Sequence, residues 1–186
     1  MAFVQPSDYS GPDYQIPNLS QESSFLAYAD RQERKLLMSL LGRSLKDAFY
    51  SGYEAGTEQR WIDLGNGVAY EVNGKPYKWE GMNTMLKPFV YSRWIKHTAT
   101  NLSTSGVTIP KIENAELIGP RERIIESYNE ASDFIGNECN QYNTLFGYLF
   151  NSGDTFIDSL GSGYTDIKVY MYDYFVDPGK MNFLDL

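Results

Sequence analysis

The sequence predicts a mainly α fold: a helical bundle with a β-hairpin insertion, an extended N-terminal arm and a C-terminal strand and tail. Three observations predict it. From Pro120 to Phe150, the residues Ile124, Tyr128, Ala131, Ile135, Cys139, Tyr142, Phe146 and Leu149 recur at steps of three and four, the stripe of one long helix with a single buried face. A second stripe of helical spacing carries Phe25, Leu26, Ala29, Glu33, Leu36, Leu37, Leu40 and Leu41. Between the two, Asn73-Gly74 is flanked by short alternating aromatic segments, the signal of a two-residue hairpin turn.

A chain of 186 residues suits one core. It divides into an arm over 1–19, a helical core over 20–150 with its hairpin at 68–79, and a strand and tail over 151–186. In the arm, Pro6, Gly11, Pro12 and Pro17 prevent a regular element, while Phe3, Val4, Tyr9, Tyr14 and Ile16 are too apolar for a purely solvated tail, so the arm packs on something. Asn18 or Ser20 caps the first helix and Gly42 ends it; a second helix follows at once from Ser44 to Ala55, which makes a tight helix-to-helix corner. Arg60 to Leu64 add a short helical turn before Gly65-Asn66-Gly67.

The hairpin strands are Val68 to Val72 and Lys75 to Trp79, with Tyr70, Val72, Tyr77 and Trp79 as cross-strand partners. Pro76 has no N–H to donate, so its strand is an edge or pairs late. An isolated hairpin is marginal in water, so its aromatic face packs on the helices or on a partner. Met82 to Asn101 reads as a helix through Met85, Leu86, Phe89, Val90, Trp94, Ile95 and Thr98, with Pro88 expected to kink it or to set off a short first segment. Residues 102–119 are polar and longer than the roughly 12–15 residues of an idle loop, which makes them a candidate contact loop containing Ile109 and Ile112. After Phe150 the pattern breaks, and Ile167 to Phe175 alternates apolar residues with Tyr170, Tyr172 and Tyr174, a strand with the hairpin as its one evident partner within the chain, or else suited to edge pairing with another molecule.

Twenty-four acidic against sixteen basic residues give a net charge of -8, which opposes nonspecific affinity for a phosphate backbone. Such a surface suits nucleic acid that must slide past without sticking. The start of the chain has no basic, apolar leader, and no apolar run approaches the ~20 residues needed to span a bilayer, so a soluble, intracellular chain without membrane partners is expected. Fifteen tyrosines, ten phenylalanines and three tryptophans suit either an aromatic core or surfaces that are dry on one side and wet on the other.

No catalytic, cofactor-binding or metal-binding residue stands out. His97 is the only histidine and Cys139 the only cysteine, so zinc sets and a Ser-His-Asp arrangement have at most one anchor; His97 reads as a surface residue beside Arg93 and Lys96, and Cys139 as packing. Glu122, Glu126 and Glu130 with Arg121 and Arg123 read as a solvated helix face. Gly65-Asn66-Gly67 and Gly161-Ser162-Gly163 lack the flanking pattern of phosphate loops and read as turns. The chain is therefore expected not to be an enzyme.

The order of features is similar to a known family. FLAYADRQERKLLMSLLG (Phe25 to Gly42), RSLKDAFYSGY (Arg43 to Tyr53), RWIDLGNG (Arg60 to Gly67), YKWEGMNTMLKPFVYSRWIKHTAT (Tyr77 to Thr100) and RERIIESYNEASDFIGNE (Arg121 to Glu138) resemble the head-to-tail connector, or adaptor, proteins of Bacteroidetes-type phages. The resemblance implies a helical bundle that assembles with itself into a dodecameric ring beneath the portal protein, touches tail or stopper proteins, and extends the channel for genomic DNA without binding it specifically. It implies a place in the virion neck, with assembly in the host cytoplasm. Candidate contact residues are then Tyr70, Val72, Tyr77, Trp79, Ile109, Ile112, Tyr170, Tyr172 and Tyr174. Two rivals are a carbohydrate- or peptide-binding module using Tyr and Trp, and a hydrolase using paired carboxylates.

Overall fold

The longest helix folds on itself. The structure is a computed structural model, and it describes residues 3–10, 14, 16, 22–99, 102–103, 106–107, 120–136, 142–151 and 156. Helix α1, Glu22–Ala55, passes through a sharp corner at Gly42, where φ is 69° and ψ is 175°. The halves on either side are the two predicted helices, and Leu36, Leu37, Leu40, Leu41, Leu45 and Phe49 are buried around the corner. Arg34 lies over the Tyr50 ring at 4.9 Å, so the second half turns back beside the first.

Helix α2, Gln59–Asn66, is longer at both ends than the single turn expected. Trp61 and Leu64 are its buried residues, and Trp61 packs on Phe49 of α1. Strands β1, Val68–Val72, and β2, Lys75–Trp79, form the antiparallel hairpin, with Asn73 and Gly74 both at positive φ as a type I′ turn demands. Helix α3, Met82–Ala99, runs through Pro88 without a break, against the expected kink or split; Met82, Met85, Leu86, Phe89 and Val90 are buried along it. Two-residue strands β3, Leu102–Ser103, and β4, Gly106–Val107, pair with each other.

The long helix predicted over 120–150 is broken in two. Helix α4, Pro120–Ile135, keeps the expected stripe of Ile124, Tyr128, Ala131 and Ile135, and packs antiparallel on α3 through Phe89 and Tyr128. Gly136 then takes φ 72°, a left-handed conformation that ends a helix at little cost only when the residue is glycine. Thr144 lies so close to Gly136 that a Cβ there would approach its Oγ1 to 2.5 Å. Thr144 accepts the Gly147 N–H at 3.2 Å and so caps helix α5, Leu145–Asn151. Leu145 to Leu149 are all buried, which no one-faced helix allows. Cys139 lies outside the described residues.

The N-terminal segment is a strap on the chain's own core. It holds a 3₁₀ turn, Pro6–Tyr9, where the prolines and glycine of the arm point to no regular element. Val4 and Tyr9 are fully buried, and Phe3 stacks on Phe49 at 5.1 Å. The C-terminal strand and tail expected over 151–186, apart from Asn151 and Phe156, lie outside the described residues.

Candidate functional site

The hairpin carries the expected contact residues, and its two ends have different surroundings. In the register Val68↔Trp79, Tyr70↔Tyr77 and Val72↔Lys75, residues 68, 70, 72, 77 and 79 share the face turned to the helices, while Ala69, Glu71, Pro76 and Lys78 are exposed. At the base, Trp79 is 0 % exposed, stacks on Tyr148 with ring centroids 6.2 Å apart, and donates its indole N–H to the Leu64 carbonyl at 3.0 Å. Trp79 thus has no surface left for another molecule and acts in this chain's core. Gly67 and Gly81 cross beneath it: a Cβ on either would come within 2.5–2.6 Å of backbone atoms of the other segment.

Farther from the base the same face is half-buried. Tyr77 meets the Tyr142 ring at 4.6 Å, and Tyr70 meets Tyr148 at 5.4 Å and donates its hydroxyl proton to the Tyr142 carbonyl. Burial pushes the Tyr70 phenol up to about 12, with Tyr77 and Tyr142 adding to the effect. The Lys78 N–H donates to Asn143 Oδ1 at 3.2 Å. The hairpin's aromatic face therefore packs on its own helices, one of the two arrangements that its marginal stability required. Val72 is half-buried near the turn, where Asn73 and Gly74 stand in the open. Ile109, Ile112, Tyr170, Tyr172 and Tyr174 lie outside the described residues.

The tyrosines follow the same rule. Tyr9, Tyr91, Tyr128 and Tyr148 are buried, and every other described tyrosine is half-buried. Several line the seams between elements and donate their hydroxyls to backbone carbonyls of the neighbouring element: Tyr9 to Lys87 at 3.1 Å and Tyr28 to Arg93 at 2.8 Å.

Two shallow clefts lie elsewhere. One, between the start of α1 and the end of α3, is lined by Tyr28, Arg31, Trp94, His97 and Thr98. His97 is on the surface, as expected, and stacks on the Tyr28 ring at 4.8 Å. The other brings Glu80, Glu130 and Asp133 together with Lys78 and Phe134, and Lys78 pairs with Glu80 at 2.9 Å. Glu122, Glu126 and Glu130 are exposed along α4. Among the described residues no group of three or more His, Cys, Asp or Glu side chains is arranged to hold a metal, and no helix is long and apolar enough to cross a membrane.

Fold and surface together define a mainly helical protein with an aromatic hairpin locked to its bundle. No protein-family model matches the chain, and neither a curated protein nor a solved structure matches it.

Proposed function

We propose that this chain is a structural virion protein that forms an oligomeric ring between portal and tail and extends the DNA channel. The observation that carries the reading is the agreement between the segments behind the family resemblance and the folded elements. Phe25 to Gly42 ends at the α1 corner, Arg43 to Tyr53 fills the second half of α1, and Arg60 to Gly67 is α2 with its exit. Tyr77 to Thr100 joins β2 to α3, and the segment from Arg121 begins α4. A resemblance that follows whole elements in order concerns a folded unit rather than scattered composition.

The net charge of -8 supports the same reading, since a conduit must not grip the DNA it passes. The partners in this reading are further copies of the chain, the portal protein, and tail or stopper proteins. Size-exclusion chromatography with light scattering tests it on the chain alone and mixed with the portal protein of the same genome. Elution at the mass of a ring, or co-elution with the portal, is the expected result. A monomer that never co-elutes with the portal contradicts it.

A further inference from the structure

The sequence contains Asn-Gly twice, at Asn66-Gly67 and at Asn73-Gly74. Glycine after asparagine is the pairing in which a backbone nitrogen reaches the asparagine side-chain amide with least hindrance, because no Cβ stands in the way. Both glycines have positive φ and both asparagines are exposed, so sequence and exposure do not tell the two sites apart. Their surroundings do.

At residue 66 both reacting groups are held. Tyr53 donates its hydroxyl proton to Asn66 Oδ1 at 2.8 Å, and Asn83 Nδ2 donates to the same oxygen at 2.9 Å. The Gly67 N–H donates to the Asp63 carbonyl at 2.8 Å, where it closes the end of α2. A Cβ on Gly67 would come within 2.6 Å of the Trp79 carbonyl oxygen, so this segment cannot shift without opening the base of the hairpin. The hairpin tip has none of these restraints. Its ladder ends at Val72↔Lys75, which leaves the Gly74 N–H in the loop beyond it. Among the described residues the Asn73 amide has no hydrogen-bond partner. Glu71, Asn73, Gly74, Lys75 and Pro76 are all exposed, and nothing lies within 4 Å of a Cβ placed on Gly74. The tip can therefore open locally while buried Trp79 keeps the base closed.

We propose that Asn73 is a site of spontaneous deamidation and that the fold protects Asn66 from the same reaction. The Gly74 nitrogen gives up its proton and bonds to Asn73 Cγ as the Cγ–Nδ2 bond breaks, and ammonia leaves with that proton. Water then opens the resulting cyclic imide. Cleavage at Cγ gives Asp on the original backbone, whereas cleavage at the main-chain carbonyl gives isoaspartate, in which the chain runs through Cγ. Asp tolerates the positive φ of 52° at residue 73, so that product keeps the turn and adds a negative charge near Glu71. Isoaspartate inserts a methylene into the main chain, and the Val72↔Lys75 pairing is lost. The reaction belongs to the chain alone and does not depend on a ring.

Ageing of the wild-type chain at mildly alkaline pH, folded and in urea, tests it. Cleavage after Glu71 puts Asn66 and Asn73 on different peptides, so mass spectrometry reads each amide separately, and isoaspartyl methyltransferase labels the isoaspartate. In the folded chain Asn73 is expected to convert roughly tenfold or more faster than Asn66, and in urea the two should convert at comparable rates. Asn73 keeping its amide in the folded chain, under conditions in which the unfolded chain loses it, overturns the proposal. So does Asn66 converting as fast as Asn73 in the folded chain. Asn66 remaining slow in urea would trace its protection to the neighbouring sequence and overturn the part assigned to the fold.

Discussion

Two short segments outside the α-helices lie on the helical core, the strap at 3–10 and the hairpin at 68–79, and different chemistry fixes each. The hairpin is held by a neutral anchor: the Trp79 indole is buried among rings and its N–H is satisfied by the Leu64 carbonyl. The strap is held by an ionisable group. Glu33, fully buried on α1, accepts the Phe3 N–H at 2.8 Å and the Val4 N–H at 3.0 Å. Removal from water raises the Glu33 carboxyl above its ordinary value of 4.5, while the two backbone N–H groups oppose that rise. The hairpin's anchor is thus indifferent to acidity, whereas the strap's is not.

The largest expected effect breaks the hairpin side. Trp79→Ala removes the biggest fully buried side chain and its hydrogen bond, and should cost about 3–5 kcal/mol in urea denaturation. A loss confined to assembly, with stability unchanged, would show that the indole serves a partner rather than the core.

Gly81→Ala should follow, at about 2–3 kcal/mol, because φ is 94° there and a Cβ would meet the backbone of residues 65–67. Gly74→Ala at the open turn is its control. Its φ is also positive, yet nothing lies within 4 Å, so only the conformational cost of about 1 kcal/mol remains.

Acidity separates strap from hairpin. With its folded value raised, Glu33 binds a proton more readily in the native state than in the unfolded one, so its contribution is most favourable at low pH. That contribution is lost as pH rises from the ordinary carboxylate range through the raised value. Stability curves should therefore show wild type declining over that window relative to Glu33→Gln, whose amide does not titrate. Parallel curves for the two proteins would remove the charge from the account of the strap. Trp79→Phe should leave the wild-type pH slope intact.

Tyr70→Phe, which deletes only the hydroxyl donated to the Tyr142 carbonyl, should likewise cost only about 1 kcal/mol.

The hairpin was legible in the sequence to the residue, because Asn73-Gly74 fixes turn type and the aromatic alternation fixes register. The corner at Gly42 was legible for a similar reason, a glycine after an apolar helix end. The break at Gly136 was hidden by the stripe itself: Tyr142, Phe146 and Leu149 keep the phase of Ile135 although the chain has turned. Gly136-Asn137 and Asn143-Thr144, a stop and a cap, were the signals that could have revealed it.

The site was less legible than the fold. Trp79 and Tyr77 share one face of β2, and only the position of residues 142–148 makes the first core and the second a half-buried seam. Glu33 was visible as the one charge on an apolar stripe, but its partners are backbone N–H groups, which no side chain announces.

Negative-stain electron microscopy of the purified chain, alone and mixed with the portal protein of the same genome, separates a ring-former from a monomer. A ring protein of the neck gives closed rings, or an added layer on the portal with the portal's symmetry. Dispersed monomers beside bare portals would contradict it.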